Sequence, residues 1–170
     1  MDEYDYTSLR VAVVIGDCFA INTTIKQGMD INFDFGVLLR DAVRNNYLDV
    51  VQCLKEHKAD FDIDDGMPVK EATKYGRSEI LFYLLENGAA FRTEIVDLAI
   101  KHGKTGILKE LKARGYNLQP SSAEPIHNAL LMDYTETVLF LMRHVAITDE
   151  TIFNSVMTLM SNTKSTETRH

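Results

Sequence analysis

The stretch Pro68-Val69-Lys70-Glu71-Ala72-Thr73-Lys74-Tyr75-Gly76-Arg77-Ser78-Glu79-Ile80-Leu81-Phe82-Tyr83-Leu84-Leu85-Glu86-Asn87-Gly88-Ala89-Ala90-Phe91 contains two short helices and two stops. A proline opens the first helix, where its missing N–H costs nothing. Gly76 ends it, because glycine takes the left-handed backbone of a helix stop without strain. Ile80–Leu85 then repeats apolar residues at helical spacing, and Gly88 closes the second helix. Moving outward, the small residue of Val69-Lys70-Glu71-Ala72 has counterparts in Leu9-Arg10-Val11-Ala12, Leu39-Arg40-Asp41-Ala42, Val96-Asp97-Leu98-Ala99 and Ile126-His127-Asn128-Ala129. The alanines at 12, 42, 72, 99 and 129 are spaced 30, 30, 27 and 30, and four residues after each comes Gly16, Asn46, Gly76, Gly103 or Asp133. Five helical hairpins in register are a repeat architecture. One such hairpin cannot cover its own apolar side, so neighbours must stack, and alanine recurs where they approach closely.

These residues resemble the ankyrin repeat family. Glu124-Pro125-Ile126-His127-Asn128-Ala129 is similar to that family's Thr-Pro-Leu-His-x-Ala start. Gly28-Met29-Asp30-Ile31-Asn32 and Lys58-Ala59-Asp60-Phe61-Asp62 are similar to its Gly-Ala-Asp-Val-Asn ending. The resemblance spans residues 8–148 and implies an all-α, ankyrin-type solenoid of helical hairpins. Thr-Pro is present nowhere as such, and the units are shorter than the family's usual ~33 residues. The finger loops are therefore expected to be trimmed, above all the one before the fourth unit. One domain is expected over residues 1–160, with units at 8–32, 38–62, 68–92, 95–119 and 125–148. A capping helix over 149–160 follows, then a disordered tail over 161–170, which holds no apolar residue. The first helix is unusually apolar for an end unit (Val11, Val13, Val14, Ile15). Two accounts stay open: Tyr4 and Tyr6 fold over it, or this end docks on a partner or on a second copy of the chain.

The chain has 170 residues, 45% hydrophobic and 25% charged, with a net charge of −7. That charge argues against non-specific binding to nucleic acid or anionic lipid. Met1–Gly66 holds 13 acidic and 6 basic residues, so the whole imbalance lies there, and the remaining residues balance at 12 of each sign. No apolar run approaches the ~20 residues of a membrane span. The acidic start (Asp2, Glu3, Asp5) is the opposite of a signal peptide's. Cys18 and Cys53 form no metal pattern and no disulfide framework, which makes a reducing cytoplasm the expected location, the host's if the chain is viral or an effector.

Catalytic and metal chemistry find little support. Asp60, Asp62, Asp64 and Glu71 stand at positions 1, 3, 5 and 12 of a calcium loop, but the glycine comes one residue late and the repeat places Glu71 in a helix. The five histidines are scattered, and no nucleophile motif occurs, so no catalytic residue, metal ligand or cofactor is expected. Cys53 is read as a core thiol and Cys18 as partly exposed.

The resemblance implies binding of another protein through the concave face and finger loops. The expected contact residues are Phe33, Asp34, Asp62, Asp64 and Asp65 in the fingers, and Arg44/Asn45, Lys74/Tyr75, Lys101/His102 and Leu131/Met132 before the first-helix stops. The reading is a non-enzymatic adaptor or inhibitor of a host factor, of the sort that short, divergent ankyrin chains from viruses, phages or intracellular bacteria suggest. The alternative is an acidic nucleic-acid mimic, in which the finger carboxylates occupy the basic groove of a DNA- or RNA-binding protein.

Overall fold

The computed structural model describes residues 6–25 and 28–145, together with Glu150, Phe153, Asn154 and Met157. Among the described residues it is all-helical: α1 (Tyr6–Ile15), α2 (Cys18–Ile25), α3 (Phe33–Asn45), α4 (Leu48–Glu56), α5 (Ile63–Tyr75), α6 (Ser78–Glu86), α7 (Thr93–Lys101), α8 (Thr105–Ala113), α9 (Glu124–Leu131) and α10 (Thr135–His144). The chain divides into two compact units, Met1–Phe91 and Arg92–His170. In the first, α1, α3 and α5 pack side by side as one layer, and α2, α4 and α6 as a second. In the second, α7 packs on α8 and α9, and α10 on α8 and α9.

The repeated signals do the same physical work in every hairpin. Ala12, Ala42, Ala72, Ala99 and Ala129 are all buried, the last four completely. Gly16, Asn46, Gly76, Gly103 and Asp133 all take positive φ, between 56° and 77°. The next residue's N–H then turns back onto the alanine carbonyl: Asp17 to Ala12 at 2.8 Å, Tyr47 to Ala42 at 3.0 Å, Arg77 to Ala72 at 2.8 Å, Lys104 to Ala99 at 2.8 Å and Tyr134 to Ala129 at 2.9 Å. This closure satisfies a carbonyl that the helix end would leave unpaired. The second helices of three hairpins end in the same way, with N–H bonds from Ala59 to Leu54, Ala89 to Leu84 and Tyr116 to Leu111. Lys58, at φ 65°, fills the left-handed position that Gly88 and Gly115 hold in the other two. No glycine marks that stop, so composition alone hid it.

The core is aliphatic, with Leu9, Leu38, Leu54, Leu81 and Leu84 fully buried in the first unit and Ile100, Leu108 and Leu111 in the second. Thr105 and Thr137 bury their hydroxyls against each other at 2.7 Å between α8 and α10. The 27-residue spacing before Ala99 has a direct cause. Helices α3 and α5 each open with a three-residue left-handed turn, and α7 starts at Thr93 from the extended Arg92 with no such turn. The finger expected to be shortened has lost those three residues. Of the expected capping helix, Glu150, Phe153, Asn154 and Met157 are described and helical. The rest of 149–160 and the tail 161–170 lie outside the described residues, as does Tyr4.

Replacing Ala72 by Leu is expected to destabilise the fold by about 1–3 kcal/mol, since overpacking forces neighbouring helices apart. Ala113→Leu, at an exposed position of α8, should shift the urea midpoint little, and equal shifts for the two variants would contradict this packing.

Candidate functional site: the finger turns and the first-helix face

Each complete finger is built from a short sequence that occurs twice, Asp30-Ile31-Asn32-Phe33-Asp34-Phe35-Gly36 and Asp60-Phe61-Asp62-Ile63-Asp64-Asp65-Gly66. The first aspartate folds its loop locally: Asp30 Oδ1 accepts the Asn32 N–H and Asp60 Oδ1 accepts the Asp62 N–H, both at 2.9 Å. The third residue joins the loop to the next one. Asn32 Oδ1 accepts the Asp60 N–H at 2.8 Å, and Asp62 Oδ1 accepts the Ala90 N–H at 3.0 Å. Tyr6 starts this ladder, its hydroxyl oxygen accepting the Asp30 N–H at 3.2 Å.

The tip of each finger is a run of three left-handed residues. Asp34, Phe35 and Gly36 have φ of 47°, 53° and 70°, and Asp64, Asp65 and Gly66 have 52°, 54° and 73°. Non-glycine residues rarely adopt this conformation, and for a bulky aromatic it is costly. Glycine is needed at the last place, because a Cβ on Gly36 would lie 2.7 Å from Ile63 Cγ2 of the next finger.

The fingers and first helices of unit one hold most of the expected contact residues, and the structure sorts them. Asp34, Asp64, Asp65, Asn45, Lys74 and Tyr75 are exposed. Lys70 Nζ lies 3.0 Å from Asp65, whereas Asp34 and Asp64 make no hydrogen bond or ion pair among the described residues. Lys74 Nζ sits 5.5 Å from the centre of the Tyr75 ring. Three others are engaged in the fold. Asp62 ties the loops together, and Phe33 is half-buried and stacks on Tyr6 with ring centres 3.6 Å apart. Arg44 belongs to a chain of charges across α1, α3 and α5. Arg10 Nε meets Asp41 Oδ2 at 2.7 Å, Arg44 meets Glu71, and Arg40 Nε lies 3.5 Å from the same Glu71 oxygen. Asp41 and Glu71 are both buried. Burial works against the Arg44 charge, but the hydrogen bond and charge of Glu71 outweigh it and hold the guanidinium above its usual range. Glu71 is thus a helical ion-pair partner, as the repeat register requires of it.

In unit two, Lys101, Leu131 and Met132 are exposed and His102 is half-buried at the end of α7. The fifth-hairpin loop is held by Asp97, whose carboxylate accepts the Ser121 N–H at 3.0 Å and the Ser121 hydroxyl. His127 is exposed on α9.

Sequence reasoning passed over Phe35, which stands 67% exposed at the first fingertip. Aligning Phe33–Gly36 on Ile63–Gly66 would have placed it there, at the position of Asp65. It also missed a groove of about 460 Å³ lined by Tyr6, Thr7, Arg10, Val11 and Val14 of α1 and by Phe33, Asp34 and Val37 of α3. Val11 and Val14 occupy the positions that Asp41 and Arg44 hold one repeat later, so this end of the face is apolar where the next repeat is ionic.

Helical hairpins with buried alanines and left-handed stops superpose on a solved structure. The fold is that of an ankyrin-repeat domain. The human ASB11 ankyrin repeat domain superposes with a TM-score of 0.68 and 22% sequence identity, covering 83% of this chain and 70% of that one. No protein-family model and no curated protein matches the sequence. At 22% identity this likeness is one of fold.

On the opposite layer of unit one, Cys18 is partly exposed and Cys53 is buried, as expected for each. Asn22 Oδ1 accepts from Cys53 Sγ at 3.5 Å and lies against His57 Nε2. Burial, reinforced by Cys18 and Glu56, pushes the Cys53 thiol up to about 11. The folded pKa is raised, so the neutral thiol's contribution to stability is complete below its ordinary pKa and is lost as pH rises through about 11.

Two outcomes follow. Gly36→Ala should cost at least about 1–2 kcal/mol from the left-handed backbone alone, and Gly106→Ala, in open space on α8, should be neutral or mildly stabilising; denaturant melts will show it. Iodoacetamide at pH 8 should label Cys18 well ahead of Cys53 by peptide mass mapping, with the gap narrowing toward pH 11; equal rates at pH 8 would contradict the burial of Cys53.

Proposed function

We propose that the chain is a non-enzymatic interaction module that grips another protein through its finger turns and first-helix face, acting as an adaptor or as an inhibitor of a host factor in the cytoplasm. One observation carries the reading. At a fixed interval of 30 residues the stacking positions repeat the same chemistry (Ala12, Ala42, Ala72), while the face positions change from Val14 to Arg44 to Lys74 and from Ile15 to Asn45 to Tyr75. The repeated set is consumed by stacking, which leaves the varied set to do the recognising. Tyr75 and the exposed aromatic Phe35 are of the type that carries interface energy. An origin in a virus, phage or intracellular bacterium accords with the short units, and the expected contacts of unit two, Lys101, His102, Leu131 and Met132, extend the same reading.

The nucleic-acid mimic has less behind it. Its ladder of carboxylates runs through Asp30/Asp34 and Asp60/Asp62/Asp64/Asp65, and half of these, Asp30, Asp60 and Asp62, accept backbone N–H groups within the loops. Self-association through the apolar first repeat is the competing use of the same surface, and sedimentation tests it.

Affinity capture with the intact chain from its native cell tests the proposal. Lys74→Ala/Tyr75→Ala and, separately, Leu131→Ala/Met132→Ala should lose a partner that the parent chain recovers, and recovery of the same partner by every variant would refute the face assignment. Retention of that partner in high salt fits a mixed apolar interface, whereas complete loss fits the mimic.

A further inference from the structure

The groove between α1 and the first finger is apolar on its floor and acidic at its lip. Val11 and Val14 are 53% and 43% exposed, and Asp34 stands at the edge with no ion pair or hydrogen bond to its carboxylate among the described residues. Phe35, held outward in a left-handed conformation, is the next residue along the tip. One repeat further on, Asp64 occupies the same place in the same turn and likewise has no partner among the described residues. Arg10 is engaged by Asp41, Arg40 and Arg44 by Glu71, and Lys70 by Asp65, while the exposed Lys74 lies against the Tyr75 ring. Around the groove, the described residues leave negative charge next to exposed apolar area, within the part of the chain that carries the net charge of −7.

Spacing narrows the occupant. Helices packed in the manner of α3 and α5 have axes ~8–10 Å apart as a rule, which sets the spacing expected of the fingertips they carry. An extended polyproline-type segment advances ~3.1 Å per residue with three residues per turn, so its residues i and i+3 share one face and stand ~9 Å apart. We propose that this groove takes an extended basic peptide segment of a partner protein: an apolar side chain seated over Val11 and Val14, an adjacent Lys or Arg on Asp34, and a second Lys or Arg three residues further on at Asp64. The apolar residue supplies the burial, and the two cations fix direction and register. This inference rests on the reading of the finger and first-helix face as a protein-binding surface and states which chemistry binds at its first two repeats.

Selection of a displayed library of random nine-residue peptides on the intact chain tests it, followed by fluorescence anisotropy with a fluorescein-labelled synthetic peptide of the selected consensus. The expected consensus is an apolar residue, a neighbouring Lys/Arg and another Lys/Arg three residues on. Asp34→Asn/Asp64→Asn should weaken the peptide about three- to tenfold, in line with two exposed charge pairs, and Val14→Asp should abolish binding; helical circular dichroism melts confirm that these surface variants stay folded. A consensus with cations seven apart marks a helical ligand and overturns the proposal, as does an acidic consensus or no enrichment. Peptides that ignore Asp34→Asn/Asp64→Asn but are lost with Lys74→Ala/Tyr75→Ala overturn it while leaving the binding face intact. Peptides indifferent to all of these variants overturn both. A concentration-dependent dimer in sedimentation that Val14→Asp dissolves would make a second copy the occupant and would equally overturn it.

Discussion

The structure depends on how closely one first helix can approach the next. Within each unit a buried methyl group sets that approach, at Ala12, Ala42 and Ala72 in the first and at Ala99 and Ala129 in the second, and the left-handed residue four places later turns the chain so that the following N–H closes on the alanine carbonyl. The two features are coupled. The alanine lets helices pack at short range, and the closure directs the chain straight into the second helix that covers the hairpin's other side. A short hairpin gains little from helix propensity alone, so its order comes from this packing, and each hairpin is stable only beside a neighbour.

The finger turns add a second layer of connection made from polar groups. Asp30, Asn32, Asp60 and Asp62 spend their side chains on backbone N–H groups. Satisfied in this way, they hold loops that have no apolar core of their own, and they keep Asp34, Phe35 and Asp64 in strained, exposed positions. Such strain persists only where the surroundings over-determine the backbone. The supply here is the ladder that begins at the Tyr6 hydroxyl, together with the seating of Ile63 on Gly36. A rigid finger presents its tip residues at low entropic cost on binding.

The expected contact residues divide along the same line. Lys74, Tyr75, Asp34 and Asp64 are exposed, as the repeat register implies. Phe33, Asp62 and Arg44 share that register, but their side chains reach a neighbouring repeat first: a ring, an N–H and a carboxylate respectively. Register tells which way a position faces, and it does not tell whether the next repeat offers a partner within reach. Phe35 shows the converse, because its exposure follows from a backbone conformation that no propensity assigns to phenylalanine.

From the chain alone came the hairpin repeat, the alanine contacts, the five first-helix stops and the loss of one finger, because each of these is local chemistry recurring at a fixed interval. Tertiary structure decided the rest: the non-glycine stop at Lys58, the left-handed fingertips, the charge chain from Arg10 to Glu71 and the apolar groove beside Asp34. These depend on which side chains from different repeats come within hydrogen-bonding or van der Waals range. That distance is set by packing, and periodicity along the sequence does not encode it.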